Sequence, residues 1–304
     1  METICVYHDD CLDGMAAAWV VKLKYPEAKF VKGIYNKPLP AELHPQKIMG
    51  KRVIVVDFYY SEDEMEYLAK LAGELIFLEH HATSYPIVKT LAGLQLVGHI
   101  SHESVHVRYA ENKSGALLAW EFFFPDHPVP RLIQHVSDRD LWQFELKDTA
   151  AIMQGVGAFP LDVDVWAEQF KYYFGDIIKT NCHQRLMMEK MKSWGEAIML
   201  KNKNDVNRII GQTLRKVTLP DGANVEVPMI NVPRHLASEA LSQLATDAPY
   251  AVGYYDSAEG REFSMRSRKE GGSNVSKIAE YFGGGGHRNA AGFKVPRHHP
   301  LAQI

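Results

Sequence analysis

Cysteine is scarce in this sequence, and the three present, Cys5, Cys11 and Cys182, form no CxxC pair. So thin and scattered a set excludes a disulfide framework and points to a reducing compartment, the cytoplasm. Long apolar runs are missing too. Stretches such as 15–21 fall far short of the about 20 residues a bilayer-spanning helix needs. The opening METICVYHDD is acidic where a secretory leader would be basic, so no membrane is expected as a partner. Excess positive charge is also lacking. Lys and Arg number 34 against 37 Asp and Glu, a formal net charge of −3, which provides no global field for coating long duplex nucleic acid. No internal repeat or low-complexity tract stands out.

What is present is an alternation of two periodicities. Short β-branched or aromatic runs at 4–7, 30–35, 52–56 and 74–78 read as strands, with helical patterns at 13–24 and 61–72. Ser61 followed by Glu64 is a capping box opening the second helix. Strand alternating with helix predicts an α/β fold, a parallel sheet with helices on both faces. Beyond Ser84 the pattern turns more helical. Helices are expected over 114–124 and 129–136, and amphipathic ones from 162 to about 201 with an interruption near 174–176. Their Met and aromatic stripes read as packing surface. The polar stretch 201–207 suggests a boundary, giving domains 1–200 and 201–304. The second, smaller α/β domain would have strands at 213–219, 225–231, 250–256, 262–268 and 292–295, and helices at 236–246 and 274–282.

Chemistry gathers at the strand ends. The first strand runs into His8, Asp9, Asp10 and Asp13, the third into Asp57, and the fourth into Glu79, His80 and His81. In a parallel sheet these carboxyl ends share one edge, where ligand crevices form. A lone His8 is ordinarily a hydrogen-bonded surface residue, and a lone Asp57 a helix cap. Carboxylates and imidazoles from successive strands meeting at one edge would repel one another unless a cation held them. Mixed Asp and His ligands suit manganese, iron or zinc more than calcium. The segment V-S-D-R-D-L-W at 136–142 adds Asp138 and Asp140 as candidates. In the second domain, 283–286 is four glycines followed by His287 and Arg288. Successive free amides there could form an anion-binding nest, and Arg266 and Arg268 alternate on the strand upstream.

The motifs H-x-x-C-x-D-G at 8–14, V-V-D at 55–57, L-E-H-H at 78–81, S-D-R-D-L-W at 137–142 and G-G-G-G-H-R-N-A-A-G-F at 283–293 span nearly the whole chain. In this order they resemble the DHH phosphoesterase family, in the branch with a DHH-associated C-terminal domain that holds nanoRNase- or oligoribonuclease-like members, and in its H-x-x-C-x-D-G subgroup. The resemblance implies a metal-dependent phosphodiesterase or phosphatase, exonuclease-like, acting through a water activated by two divalent metal ions. Manganese is the first choice, with magnesium, iron and zinc as alternatives. His8, Asp13, Asp57, His80 and Asp138 would be metal ligands, Asp57 bridging, and His81 would face the scissile phosphate, so that His81 and Asp57 are the catalytic pair. Arg266, Ser267, Gly285, Gly286 and His287 would bind the rest of the substrate, and cleavage is expected between the domains. The sequence departs from the family at Glu79, which replaces the namesake Asp, and at Cys11, which stands where most members have an aspartate. Cys11 as thiolate, or Asp9 or Asp10, would complete the first metal site, or else that site would be weak. The substrates implied are short oligonucleotides, linear or cyclic nucleotides, or 3′-phosphoadenosine 5′-phosphate, and a homodimer is left open. A polyphosphate or pyrophosphate hydrolase and a weakened nucleotide-binding sensor are the alternatives.

Overall fold

A computed structural model describes residues 1–35, 37–96, 104–171, 177–219 and 225–303 of the chain. It divides into two compact units, Met1–Ile198 and Met199–Ile304.

The first unit is built on five parallel strands, β1 (Thr3–His8), β2 (Lys29–Gly33), β3 (Arg52–Val56), β4 (Glu74–Glu79) and β5 (Val105–Tyr109), in the order β2-β1-β3-β4-β5. Side chains alternate across a strand, so each central strand feeds two cores. Cys5, Tyr7, Ile54, Val56, Ile76 and Leu78 enter one. Ile4, Val6, Val53, Val55, Leu75 and Phe77 enter the other. The first core is covered by α1 (Leu12–Lys24), the second by α2 (Pro45–Ile48), α3 (Glu62–Leu71) and α4 (Tyr85–Leu96). The α1 side is completed by α5 (Gly115–Phe123), α6 (Arg131–Asp140), α7 (Thr149–Val156) and α8 (Val163–Gln169). Helices therefore lie on both faces, as the alternation predicts. Ser61 caps α3 with a complete capping box, and Ser114 Oγ accepts from Leu117 N at the start of α5.

The long helix α9 (Ile177–Thr213) packs its Met188 and Met191 into the first core. Its approach to α7 is set by glycine: a Cβ on Gly195 would stand 1.7 Å from Ala151 O, and one on Gly155 1.9 Å from Met191 O. The polar stretch 201–207, read from the sequence as a domain boundary, is helical and lies inside α9. Its residues are helix-compatible, and Lys201 pairs with Asp205 one turn on. The interruption expected near 174–176 falls outside the described residues. Strand β5 and helices α2, α4 and α7 add to the expected elements of this unit.

The second unit carries a sheet in the order β10-β11-β9-β8-β7-β6, from β6 (Arg215–Thr218), β7 (Glu226–Asn231), β8 (Ala251–Ser257), β9 (Gly260–Arg266), β10 (Gly285–His287) and β11 (Ala290–Val295). Only β7 and β8 pair in parallel. Helix α11 (Val275–Tyr281) packs on the Phe263–Phe293 side and α10 (Arg234–Leu244) on the other. Among the described residues no helix is long and apolar enough to cross a membrane.

Candidate metal centre

Strands β1, β3 and β4 are neighbours, so His8, Asp57 and Glu79–His81 emerge at one edge of the sheet. Asp57 follows β3 in a left-handed conformation, φ 53°, which costs a non-glycine residue about 1–2 kcal/mol. Strain of this sort persists where surrounding contacts impose it, and it clusters at functional sites. Two glycines make the approach possible. A Cβ on Gly14 would lie 2.6 Å from His8 O, and one on Gly115 2.6 Å from Asp57 Cβ. The D-G of the first motif thus lets α1 close on β1, while the bare N-terminus of α5 closes on Asp57.

Beside the cluster of Asp57, Glu79, His80 and His81, two further groups of donor atoms form, each spanning no more than 4.8 Å. One is His8, Cys11 and Asp57; the other is Asp13, His80 and Asp140. Asp57 joins them. Its Oδ2 lies 3.6 Å from His8 Nδ1, and its Oδ1 3.0 Å from His80 Nε2. His80 Nε2 also lies 3.7 Å from Asp13 Oδ2 and 3.6 Å from Asp140 Oδ2. Asp13 is oriented by α5, accepting from Gly115 N at 2.6 Å and Ala116 N at 3.0 Å. Placement at a helix N-terminus favours its charge.

The electrostatics of the cluster ask for a cation. Burial, then the charges of Asp57 and Asp140, push the Asp13 carboxyl well above its ordinary range. Burial and Asp57 likewise raise Asp140. Burial alone would lower His80, but the Asp57 hydrogen bond and the charges of Asp13, Asp57 and Asp140 hold it up to about 9. Burial, with Asp57 and Asp13 beside it, pushes the Cys11 thiol up. No Lys or Arg lies within 4.0 Å of Asp13, Asp57 or Asp140 among the described residues. His8 Nδ1 and Asp57 Oδ2 are both buried without a hydrogen-bond partner, facing each other at 3.6 Å. A ring nitrogen and a carboxylate oxygen so placed fit two ligands of one ion, since bonds of about 2.0–2.2 Å to a common metal bring nitrogen and oxygen donors close together. The residues fit divalent transition-metal ions, with nitrogen, sulfur and oxygen donors in one group and nitrogen and oxygen in the other.

Glu79 is fully buried and acts on the two histidines. Its Oε1 accepts from His80 N at 2.7 Å, His81 N at 2.8 Å and His81 Nδ1 at 2.6 Å. The longer side chain folds back on the residues that follow it. Hydrogen bonding to Glu79, against burial, raises His81 above its ordinary value.

Asp138 and Asp140 part company. Asp140 reaches His80, whereas both Asp138 oxygens are taken up elsewhere, by Glu145 N at 2.8 Å, Leu146 N at 3.2 Å and Thr149 Oγ1 at 2.5 Å. The ligand expectation on Asp138 therefore shifts to Asp140. Two residues along a helix point to different sides, and the spacing D-x-D alone does not tell which side faces the crevice. Asp10 is exposed with φ 54°, and Asp9 pairs with Lys32 at 3.0 Å, which leaves Cys11 as the residue beside His8 and Asp57.

No protein-family model matches the chain. A curated relative, the uncharacterised protein R106 of Acanthamoeba polyphaga mimivirus, is 25% identical over 309 residues, covering 95% of this chain. The chain spans 66% of the length of that relative. Among solved structures it is similar to a pGpG-specific phosphodiesterase, PggH, of Vibrio cholerae, with 12% identity, TM-score 0.48, and 97% of this chain and 94% of that one covered. It is also similar to an uncharacterised protein of Helicobacter pylori G27, with 16% identity, TM-score 0.42 and coverage of 97% and 93%. At TM-scores below 0.5 the activity named for the Vibrio protein stays with that protein.

In the second unit the glycine run is not a free loop. Gly283 N and Gly284 N bond to Glu280 O and Ala279 O at the end of α11, and Gly285–His287 pairs with β11 as a hairpin. Two of the expected nest amides are thereby consumed in capping a helix. Gly286, at φ 141°, sits where a Cβ would meet Ala290 O at 2.6 Å. Ser267 Oγ donates to Ser273 O, and Asn289 Nδ2 donates to Ser267 Oγ. Arg266 is half-buried, donates to Met265 O, and has no carboxylate partner among the described residues. Of the side chains expected to meet an anion, Arg266, His287 and the exposed Arg288 stand at or beside the β9–β11–β10 hairpin region, whereas Arg268 lies past the end of β9 and donates to Thr246 O.

Proposed function

We propose that this chain is a metal-dependent phosphohydrolase cleaving a phosphodiester or phosphate ester in small nucleotide substrates, as its resemblance to DHH phosphoesterases implies. The observation that carries the reading is Asp57, shared between the His8–Cys11 group and the Asp13–His80–Asp140 group. Those residues would hold two divalent cations, manganese foremost, with Asp57 between them and Cys11 in the first group. When bound, the cations would lower the pKa of an attacking water and take up charge on the phosphoryl oxygens.

The remaining steps belong to side chains. Glu79 Oε1 accepts the Nδ1 proton of His81, so the Nε2 of that imidazole is the atom offered to substrate. With its pKa raised, His81 carries the Nε2 proton more readily and can donate it to a phosphate oxygen as negative charge builds in the transition state. Glu79 also fixes the His80 backbone, holding the two rings 4.3 Å apart. In the second unit Arg266, Ser267 and the 285–287 hairpin would bind a phosphate group.

The test is a substrate panel (dinucleotides, cyclic dinucleotides, 3′-phosphoadenosine 5′-phosphate and pyrophosphate) assayed with manganese, magnesium and zinc. Release of nucleoside monophosphate from a dinucleotide with manganese is expected. Asp57→Ala should be the most damaging substitution, because removing a shared carboxylate unsettles both cation positions. Absence of turnover across the panel, with metal shown bound, overturns the reading.

A further inference from the structure

Beside His81 the first unit contains a hollow of about 670 Å³, with walls that include Ile34, Tyr35, Phe58, Tyr59, Tyr60 and His81. We propose that it is a nucleobase subsite, receiving the base of the nucleotide whose phosphate lies at the metal centre; this rests on the phosphohydrolase reading above.

The walls are aromatic and built rigidly. Tyr35 and Phe58 have ring centroids 4.7 Å apart at 40°, and Tyr35 and Tyr59 5.2 Å apart at 64°. At these angles the rings cross rather than stack on one another, and Tyr35 and Tyr59, both partly exposed, are the rings that can meet a planar guest. Tyr59 is anchored by its hydroxyl, which donates to Thr83 Oγ1 at 2.7 Å. Tyr60 is 5% exposed, and its hydroxyl is buried without a hydrogen-bond partner.

Charge separates a base from a second phosphate. Among the described residues the lining carries Lys37 and the titratable His81 against Glu62 and Glu64. Glu64 accepts from Ser61 and Glu62 from Thr90, neutral donors that leave both carboxylate charges in place. The two carboxylates disfavour a polyphosphate chain along that wall more than they disfavour a neutral aromatic base. Continuity with the chemistry is direct. His81 lines the hollow and shares a donor cluster with Asp57, Glu79 and His80, while the Tyr35 ring lies 5.0 Å from His8.

Titration of the manganese-loaded protein with 2-aminopurine riboside 5′-monophosphate, followed by quenching of the base fluorescence, tests the proposal, with ribose 5-phosphate as competitor. Saturable quenching is expected, with ribose 5-phosphate at least about tenfold weaker, as base–aromatic stacking implies. Tyr59→Leu should narrow that gap and Tyr59→Phe should keep it. Equal affinity for the two ligands in the wild type, absence of quenching, or equal weakening of both ligands by Tyr59→Leu overturns the proposal. The wild-type comparison decides even if the leucine variant does not fold. Hydrolysis is not read, so a chain that cleaves without preferring the base sinks only this subsite. One that stacks the base but never cleaves sinks only the activity.

Discussion

Asp138 and Asp140 sit two residues apart on α6 and do different work. Asp138 is a structural pin. Its carboxylate collects three donors from the turn that follows, and its carbonyl accepts from Gln143 N and Phe144 N. That turn contains Trp142, Phe144 and Asp148 at φ 56°, 52° and 69°, conformations that need external support. Asp140 instead adds negative charge to a cluster already rich in it. Asp138→Ala should therefore cost about 2–4 kcal/mol of stability in the metal-free protein, by loss of a buried acceptor with several partners. Asp140→Ala should leave the metal-free melting temperature unchanged or raised, since like-charge repulsion is relieved, while manganese affinity falls. Thermal melts in chelator and calorimetric manganese titrations separate the two. Equal loss of metal affinity without loss of stability in Asp138→Ala would place that carboxylate at the site after all.

At the scale of elements, α6 and α7 are joined by a buried polar chain. His135 Nδ1 lies 2.8 Å from Thr149 Oγ1, and the single proton of that hydroxyl points to Asp138 Oδ2. The oxygen must then accept from His135 Nδ1–H, which fixes the tautomer of the ring. Burial, opposed by the Asp138 charge, holds His135 below its ordinary value of 6.5. A histidine with a depressed folded pKa binds protons more readily in the unfolded chain, so its contribution is intact above about pH 6.5 and is lost as pH falls from there towards the folded pKa. In chelator, urea midpoints between pH 7.5 and 5.5 should fall more steeply for the wild type than for His135→Gln; identical slopes would mean that His135 is not the titrating group. Most of this layer was legible in advance. The strands feeding His8, Asp57 and Glu79 announce themselves by β-branched runs that end in polar residues, and Ser61 and Ser114 by their capping positions. Strand β5, V-H-V-R-Y, does alternate, but it is an edge strand whose His106 and Arg108 dilute the apolar signal. Helix α7 is short and small-residue-rich, because Gly155 must admit the α9 backbone, and so it lacks a clear apolar stripe. The choice between Asp138 and Asp140, and the diversion of Gly283 and Gly284 amides into a helix cap, depend on tertiary contacts that spacing does not encode.

At the scale of the whole molecule, the charges that ask for a cation lie between His8 and Asp140, all within the unit Met1–Ile198. The second unit has its own cores, around Phe263, Met265 and Phe293 and around Leu236 and Leu241. A ligand that binds the native state stabilises it by about 2.7 kcal/mol at a concentration a hundredfold above its Kd. Stabilisation of this kind acts on the unit that holds the ligand, and two units with separate cores need not melt as one. Scanning calorimetry should therefore resolve a manganese-sensitive transition, shifted upward by the ion and reversed by chelator, beside one that manganese leaves in place. The Asp57→Ala variant should keep both transitions and lose the shift. If manganese moved every transition equally in the wild type, or moved the Asp57→Ala protein as far, the ion would be acting somewhere other than the crevice at the ends of β1, β3 and β4.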